Sequence, residues 1–180
     1  MRRVSVVGGS CSGKTSLSGT LAALLGVPHI ELDALHHGPN WREASAEELR
    51  ACVEAALTQA TDGWVVDGNY HGKLGTLVLE RADTVVWLDP PFRIALGRVL
   101  RRTGSRIARR AELWNGNRET LRNALLPRES IVWWVVRTHR RYRRVLPERF
   151  AAAPPELRVF RLRSASEVRG FLASVAARPA

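Results

Sequence analysis

The sequence predicts an α/β fold class built on a parallel sheet, and three observations carry that prediction. Short apolar runs at 3–7, 28–33, 64–66, 82–89 and 157–162 alternate with stretches in which apolar residues recur at helical spacing. Strands that alternate with helices require right-handed crossovers, so the strands run parallel with helices against the sheet. A glycine-rich turn and the aspartates Asp33, Asp67 and Asp89 each follow a strand directly. In open parallel sheets that rim, outside the carboxyl ends of the strands, is where ligands collect.

Taken in order, the first strand, RVSVV, runs into GGSCSGKTS at 8–16, with Gly8, four residues, then Gly13-Lys14-Thr15. This spacing suits a phosphate-binding loop, in which backbone N–H groups cradle phosphates, a lysine reaches the β and γ oxygens and a threonine reaches Mg²⁺. Leu17, Leu21, Leu24 and Leu25 then recur at helical spacing up to Gly26 and Pro28, so the loop joins a strand to a helix. Of 28 basic residues only Lys14 and Lys73 are lysine, which makes chance a poor explanation of the match. A compact ammonium inside a ring of amides does a job that the planar arginine fork does badly. The phosphate contacts fall to Gly8, Gly9, Ser10, Cys11, Ser12, Gly13, Lys14, Thr15 and Ser16.

The second strand is expected over 28–33, ending in Asp33. A helix over 45–60 follows, with Ser45 and Glu48 as a capping box and Leu49, Cys52, Val53, Ala56 and Leu57 as its buried stripe. The run at 64–66 is a buried strand that stops at Asp67-Gly68, and 82–89 is another, after which Pro90-Pro91 opens a helix carrying Arg93 to Arg102. Turn signals without a sustained period over 103–117 predict a mobile loop or lid. A helical region from 118 to 144, broken near Pro127, holds Trp133 and Trp134 as packing anchors. A strand at 157–162 and a helix capped by Ser164 and Glu167 close the chain.

With 180 residues and 45% hydrophobic content, one domain over 1–180 with a sizeable core is expected. The start is too short and polar for a signal peptide and no apolar run approaches a membrane span, so a cytoplasmic protein without membrane contact is expected. Cys11 and Cys52 suggest neither a disulfide framework nor, with His36 and His37, a zinc site. The charge is uneven. Residues 93–149 hold 16 Arg against four Glu, a net of +12, whereas the other 123 residues hold 12 basic and 13 acidic side chains, a net of −1. Such a segment attracts anions: nucleotide phosphates, an acidic substrate, nucleic acid or an anionic membrane.

These parts suit phosphoryl transfer, which needs positioned oxygens, a metal and positive charge around the moving group. Lys14 would hold the β and γ phosphates and Thr15 the metal, with Asp67 holding the metal's waters. Asp33 would bind the acceptor, orient its hydroxyl as a base, or serve only as a cap. Arginines around 98–118, with Arg102 and Arg106 foremost, would close over the triphosphate.

The succession of GGSCSGKTSLSGTLAALLGVPHIELDALHH, WVVDGNY and LERADTVVWLDPPFRIALGRVLRR resembles the small P-loop kinases related to adenylate kinase. More narrowly it is similar to the FlaR-type group labelled DNA topology modulation proteins, over nearly the whole chain. The resemblance implies a P-loop NTPase three-layer sandwich of the nucleoside monophosphate kinase type, with a five-stranded parallel sheet and an Arg-rich lid or helical insertion around 98–150. It also implies ATP and Mg²⁺ as cofactors, and transfer of the γ-phosphoryl to a small acceptor. Arg98 and Arg102 match the start of an adenylate-kinase lid, and Ser164-Ala165 the place where such kinases pass the adenine ring. Asn69-Tyr70-His71 depart from the aromatic, Pro and Arg that serve an acceptor nucleotide, while Asp33, followed by Trp41, is more similar to kinases of small hydroxylated metabolites. The competing expectation is a nucleic-acid-binding P-loop ATPase that uses the Arg-rich segment, against which stands the lack of a recognisable nucleic-acid motif.

Overall fold

Val-rich strands with no polar alternation need cover on both faces, and they find it. A computed structural model describes residues 1–108, 115 and 131–177, leaving aside the side chains of 106–108 and 131–136. Five parallel strands, β1 (Arg3–Gly8), β2 (His29–Glu31), β3 (Trp64–Asp67), β4 (Thr84–Leu88) and β5 (Arg158–Leu162), lie in the order β2-β3-β1-β4-β5. Helices α1 (Lys14–Leu25) and α8 (Ala165–Ala176) cover one face, where Leu17, Leu21, Phe171 and Val175 meet Val4, Val6, Val65 and Val86. The other face packs Leu49, Val53 and Leu57 of α3 (Ala46–Gln59) on Ile30, Trp64 and Val66. Beside them, Leu79 of α5 (Leu77–Arg81) and Leu146 of α7 (Ile131–Ala151) pack on Val7, Val85 and Trp87. Each such buried side chain contributes roughly 1.5–3 kcal/mol relative to exposure. Both predicted caps form: the Ser45 hydroxyl accepts the Glu48 N–H and that of Ser164 accepts the Glu167 N–H, each at 3.1 Å. Among the described residues no helix is long and apolar enough to cross a membrane.

The second strand is shorter than the sequence predicts. It stops at Glu31, and Asp33 lies in the short helix α2 (Leu32–His36) instead of ending a strand. Glu31 pairs with Asp67, the last residue of β3, so the ladder has no further rung to offer. Leu32 then turns into the core against Gly68 (φ 140°), where a Cβ would come within 2.8 Å of the Leu32 Cβ. Only a glycine fits there.

The expected loop from 103 is also displaced, because α6 (Phe92–Ala108) continues through Gly104. Buried Ala95, Val99 and Thr103, four residues apart, give the helix a continuous inner stripe. A glycine inside a helix costs about 1 kcal/mol and does not end it when packing outweighs that cost. The helix α7 runs past 144 and through Pro147 because Leu146 and Phe150 pack beneath the sheet, Phe150 edge-on to Trp87 at 5.9 Å. Cys52 is exposed and leaves the buried stripe expected of it; on α1 Leu24 is exposed too, while Ser18 and Ala22 join Leu17 and Leu21 in facing the core. The rest of the expected lid, the break near Pro127 and the side chains of Trp133 and Trp134 lie outside the described residues.

Candidate active site

Strand β1 ends at Gly8 (φ 152°), where a Cβ would collide with the Leu88 carbonyl oxygen and stand 2.9 Å from Ser12 Oγ. Gly13 (φ 99°) caps α1 with no side-chain partner, which leaves the first N–H groups of this 12-residue helix open to an anion. Lys14 Nζ donates to the carbonyls of Gly8 and Gly9 at 3.1 and 3.2 Å. Burial lowers its pKa, Asp33 and Asp67 act in the opposite sense, and Arg102 adds to the lowering. Asp33, Asp67 and Arg102, far apart in sequence, thus stand near enough to act on one ammonium. Ser12 Oγ and Arg102 Nε are both buried without a hydrogen-bond partner, as groups awaiting an anion would be.

On the side of β2 and β3 the site is richer in acids than the sequence indicated. Thr15 Oγ1 donates to Glu31 Oε1 at 3.4 Å, and Glu31 stands beside Asp67 in the sheet register. Asp67, only 1% exposed, bonds through Oδ2 to His29 Nε2 at 3.2 Å, and that bond raises the His29 pKa. Among the described residues no group of three or more His, Cys, Asp or Glu forms a ready metal cage. An ion such as Mg²⁺ keeps several waters and takes phosphate oxygens along with one or two protein ligands. Thr15, Glu31 and Asp67 supply the hard oxygens that such an ion uses.

Asp33 accepts the Tyr70 hydroxyl at 2.7 Å, an arrangement in which burial first, and the nearby carboxylate second, raise the tyrosine pKa. Around it His36 lies 4.7 Å from the rings of both His37 and Tyr70, and His37 lies 5.4 Å from that of Trp41. Asn115 Nδ2 reaches the His37 carbonyl at 2.5 Å, so the Arg-rich segment touches this side of the site. Cys11 (φ 57°) packs on Ala95 and Val99, and Arg98 donates to the Ser12 carbonyl at 3.1 Å. Ser16, like Thr15, is exposed in the first turn of α1, while Ser10 lies between the two glycines and Ser12. Arg106 falls on α6, but its side chain is outside the described residues. Ser164 is engaged as the cap of α8.

Three residues escaped the sequence reading. Glu31 and His29 share a face with Asp67, a relation fixed by register between β2 and β3 and visible only once the pairing is known. Asn69 clamps Gly8, with Oδ1 accepting its N–H at 3.1 Å and Nδ2 donating to its carbonyl. Asp89, expected at the open rim, is 4% exposed and tied to Arg143 at 2.7 Å and Arg161 at 2.5 Å, so it braces the fold.

The fold is shared by kinases of known structure. The chain superposes on a shikimate kinase from Bacteroides thetaiotaomicron with a TM-score of 0.55 and 14% identity, covering 97% of this chain and 96% of that one. On a shikimate kinase from Acinetobacter baumannii, solved with shikimate, the values are 0.54 and 14%, covering 97% and 90%. A gluconokinase from Sinorhizobium meliloti 1021 gives 0.54 and 21%, covering 97% and 91%. In sequence, the chain is 30% identical over 122 residues to a cytidylate kinase of Haloquadratum walsbyi, a stretch that spans 58% of this chain and 60% of the relative. No family model matches the chain.

Proposed function

We propose that this protein is an ATP-dependent phosphotransferase that moves the γ-phosphoryl of ATP to a hydroxyl of a small acceptor. The open first turn of α1 beyond Gly13 carries the reading, because with Lys14 resting on the Gly8 and Gly9 carbonyls it sets bare N–H groups and an ammonium where a phosphate chain would lie. The loop N–H groups and Lys14 hold the β and γ phosphates, and Arg102, joined by Arg98 and Arg106, gathers the charge of the transferring group. Thr15, with Glu31 and Asp67 beside it, would hold Mg²⁺ and its waters, and the ion would supply neutralisation of the phosphate oxygens. Asp33, steadied by Tyr70, takes the acceptor hydroxyl and its proton as the oxygen forms its bond to phosphorus and ADP leaves.

The relatives act on acceptors of two kinds, as their names show: a cytidylate kinase on one side, shikimate and gluconate kinases on the other. The side chains around Asp33 favour the second kind. A half-buried carboxylate–phenol pair, with His36 against the phenol and His37 and Trp41 stacked beyond it, suits a compact polyhydroxylated compound, which offers hydroxyl donors to the acid. A second reading, in which the Arg-rich segment binds nucleic acid, draws on Arg137, Arg140, Arg141 and Arg144, exposed at helical spacing along α7. ADP formation with Mg²⁺ across nucleosides, nucleoside monophosphates and small hydroxylated metabolites, with Lys14→Ala as control, tests both. One stimulating acceptor confirms transfer, whereas stimulation by nucleic acid alone overturns it.

A further inference from the structure

The last backbone bond between β3 and β1 is the one Gly68 N–H gives to the Val6 carbonyl, at 3.2 Å. Two residues along β1, the rung belongs to Gly8, whose N–H and carbonyl both face the side that β3 has already left. Left open, two backbone groups at the base of the loop would each need a partner. The Asn69 carboxamide supplies both, accepting the Gly8 N–H and donating to the Gly8 carbonyl, as a neighbouring strand would. On the opposite side the Leu88 carbonyl lies so close that Gly8 tolerates no Cβ. The Gly8 peptide is therefore gripped from both flanks.

That grip bears on the lysine. The same Gly8 carbonyl accepts Lys14 Nζ at 3.1 Å, so its direction sets where the ammonium rests before phosphate arrives. The clamp also borders the Arg-rich segment, because Tyr142 of α7 lies beside the Asn69 side chain and lines one small cavity with Gly9, Ser10 and Ser12 of the loop. Next to Tyr142, Arg143 ties α7 to Asp89, just beyond the Leu88 that crowds Gly8.

We infer that Asn69 is a positioning residue for the phosphate loop, its carboxamide completing the sheet at Gly8 and aiming the carbonyl on which Lys14 rests, with Tyr142 coupling that aim to α7. The inference rests on the reading that the loop holds ATP. It needs no assumption about the acceptor.

The test is the dissociation constant of MgATP, measured by calorimetry on wild type, Asn69→Asp, Asn69→Ser, Tyr142→Phe and Lys14→Ala, each with its melting temperature. Asn69→Asp keeps the shape and the acceptor but sets an oxygen against the Gly8 carbonyl, and is expected to weaken ATP binding roughly tenfold or more with only a small change in melting temperature. Asn69→Ser, which is too short to reach both groups, serves if the aspartate variant fails to fold and is expected to lose about as much. Tyr142→Phe, which leaves the Gly8 bonds in place, is expected to lose roughly two- to fivefold. Variants that melt earlier but bind ATP as wild type does would show a merely structural role and overturn the inference. A wild type that binds no ATP, or binds it equally with Lys14→Ala, overturns the nucleotide reading itself.

Discussion

The phosphate loop and the Arg-rich segment are the two conspicuous features of this sequence, and they translate into structure in opposite ways. In the loop every group of interest lies within residues 8–16, and the chain's own turn brings the amides, Lys14 and Thr15 together. In the segment from 93 to 149, residues of one type separate into three environments. Arg98 and Arg102 face the loop, Arg143 joins Arg161 of β5 on buried Asp89, and Arg137, Arg140, Arg141 and Arg144 lie exposed on α7. A motif specifies its own geometry, whereas a net charge of +12 says nothing about which charge does what until partners from elsewhere are in place.

The sharpest way to break this contrast is to remove the charge in each environment. Lys14→Ala is expected to lower turnover by roughly 10²–10³-fold while leaving the melting temperature within a few degrees, since the ammonium bonds only loop carbonyls. Steady-state kinetics beside thermal melting checks it. Arg102→Ala is expected to follow with roughly 10²-fold in kcat and little change in stability, which would set it with the loop despite its place in the segment. Equal turnover in Arg102→Ala and wild type would move it to the solvent-facing class.

Asp89→Ala should act on stability and not directly on chemistry, costing about 2–3 kcal/mol in urea denaturation. It removes a carboxylate that accepts three charged hydrogen bonds from two arginines and leaves both to water. Arg161 also stacks 4.2 Å over Trp87, a contact that survives the substitution and limits the loss.

A pH titration sharpens the comparison further. Burial, aided by Arg149 of α7, lowers the pKa of His71 to about 4 from an ordinary 6.5. The unfolded chain therefore takes up this proton first as pH falls, so the contribution is complete above about pH 6.5 and declines toward pH 4. The expected loss is about 2 kcal/mol, after discounting for partial solvent contact, and His71→Phe should flatten that part of the stability profile. The smallest effect belongs to the exposed arginines. Arg140→Ala with Arg141→Ala is expected to change stability by less than about 0.5 kcal/mol and leave ATP turnover untouched. A large fall in nucleic-acid affinity, with a shallower salt dependence, would instead give that face a function.

Much of the site was legible beforehand because its signals are short-range. Gly8, Gly13, Lys14 and Thr15 are bound by a spacing of a few residues, and Asp67 ends a strand whose Trp64, Val65 and Val66 advertise burial on both faces. Asp33 is placed otherwise than its sequence context predicts: the apolar run before it points to the end of a strand, but the missing rung beyond Glu31 and the space over Gly68 send the chain into α2 first. Glu31, His29 and Asn69 carry no pattern of their own, and their positions follow from strands that pair across tens of residues.

What the sequence by itself determined is whatever local sterics and periodicity enforce: the alternation that makes the sheet parallel, the glycine turn that leaves the first N–H groups of α1 uncapped, the serine–glutamate caps of α3 and α8. What only the tertiary structure decided is the sorting of like residues into unlike roles. Asp67 meets His29, Asp33 meets Tyr70 and Asp89 meets two arginines, though all three end a strand or lie close behind one. The physical reason is that a carboxylate's behaviour depends on burial and on the charges within a few ångströms of it. Those neighbours come from strand order and helix packing, which no stretch of chain contains alone.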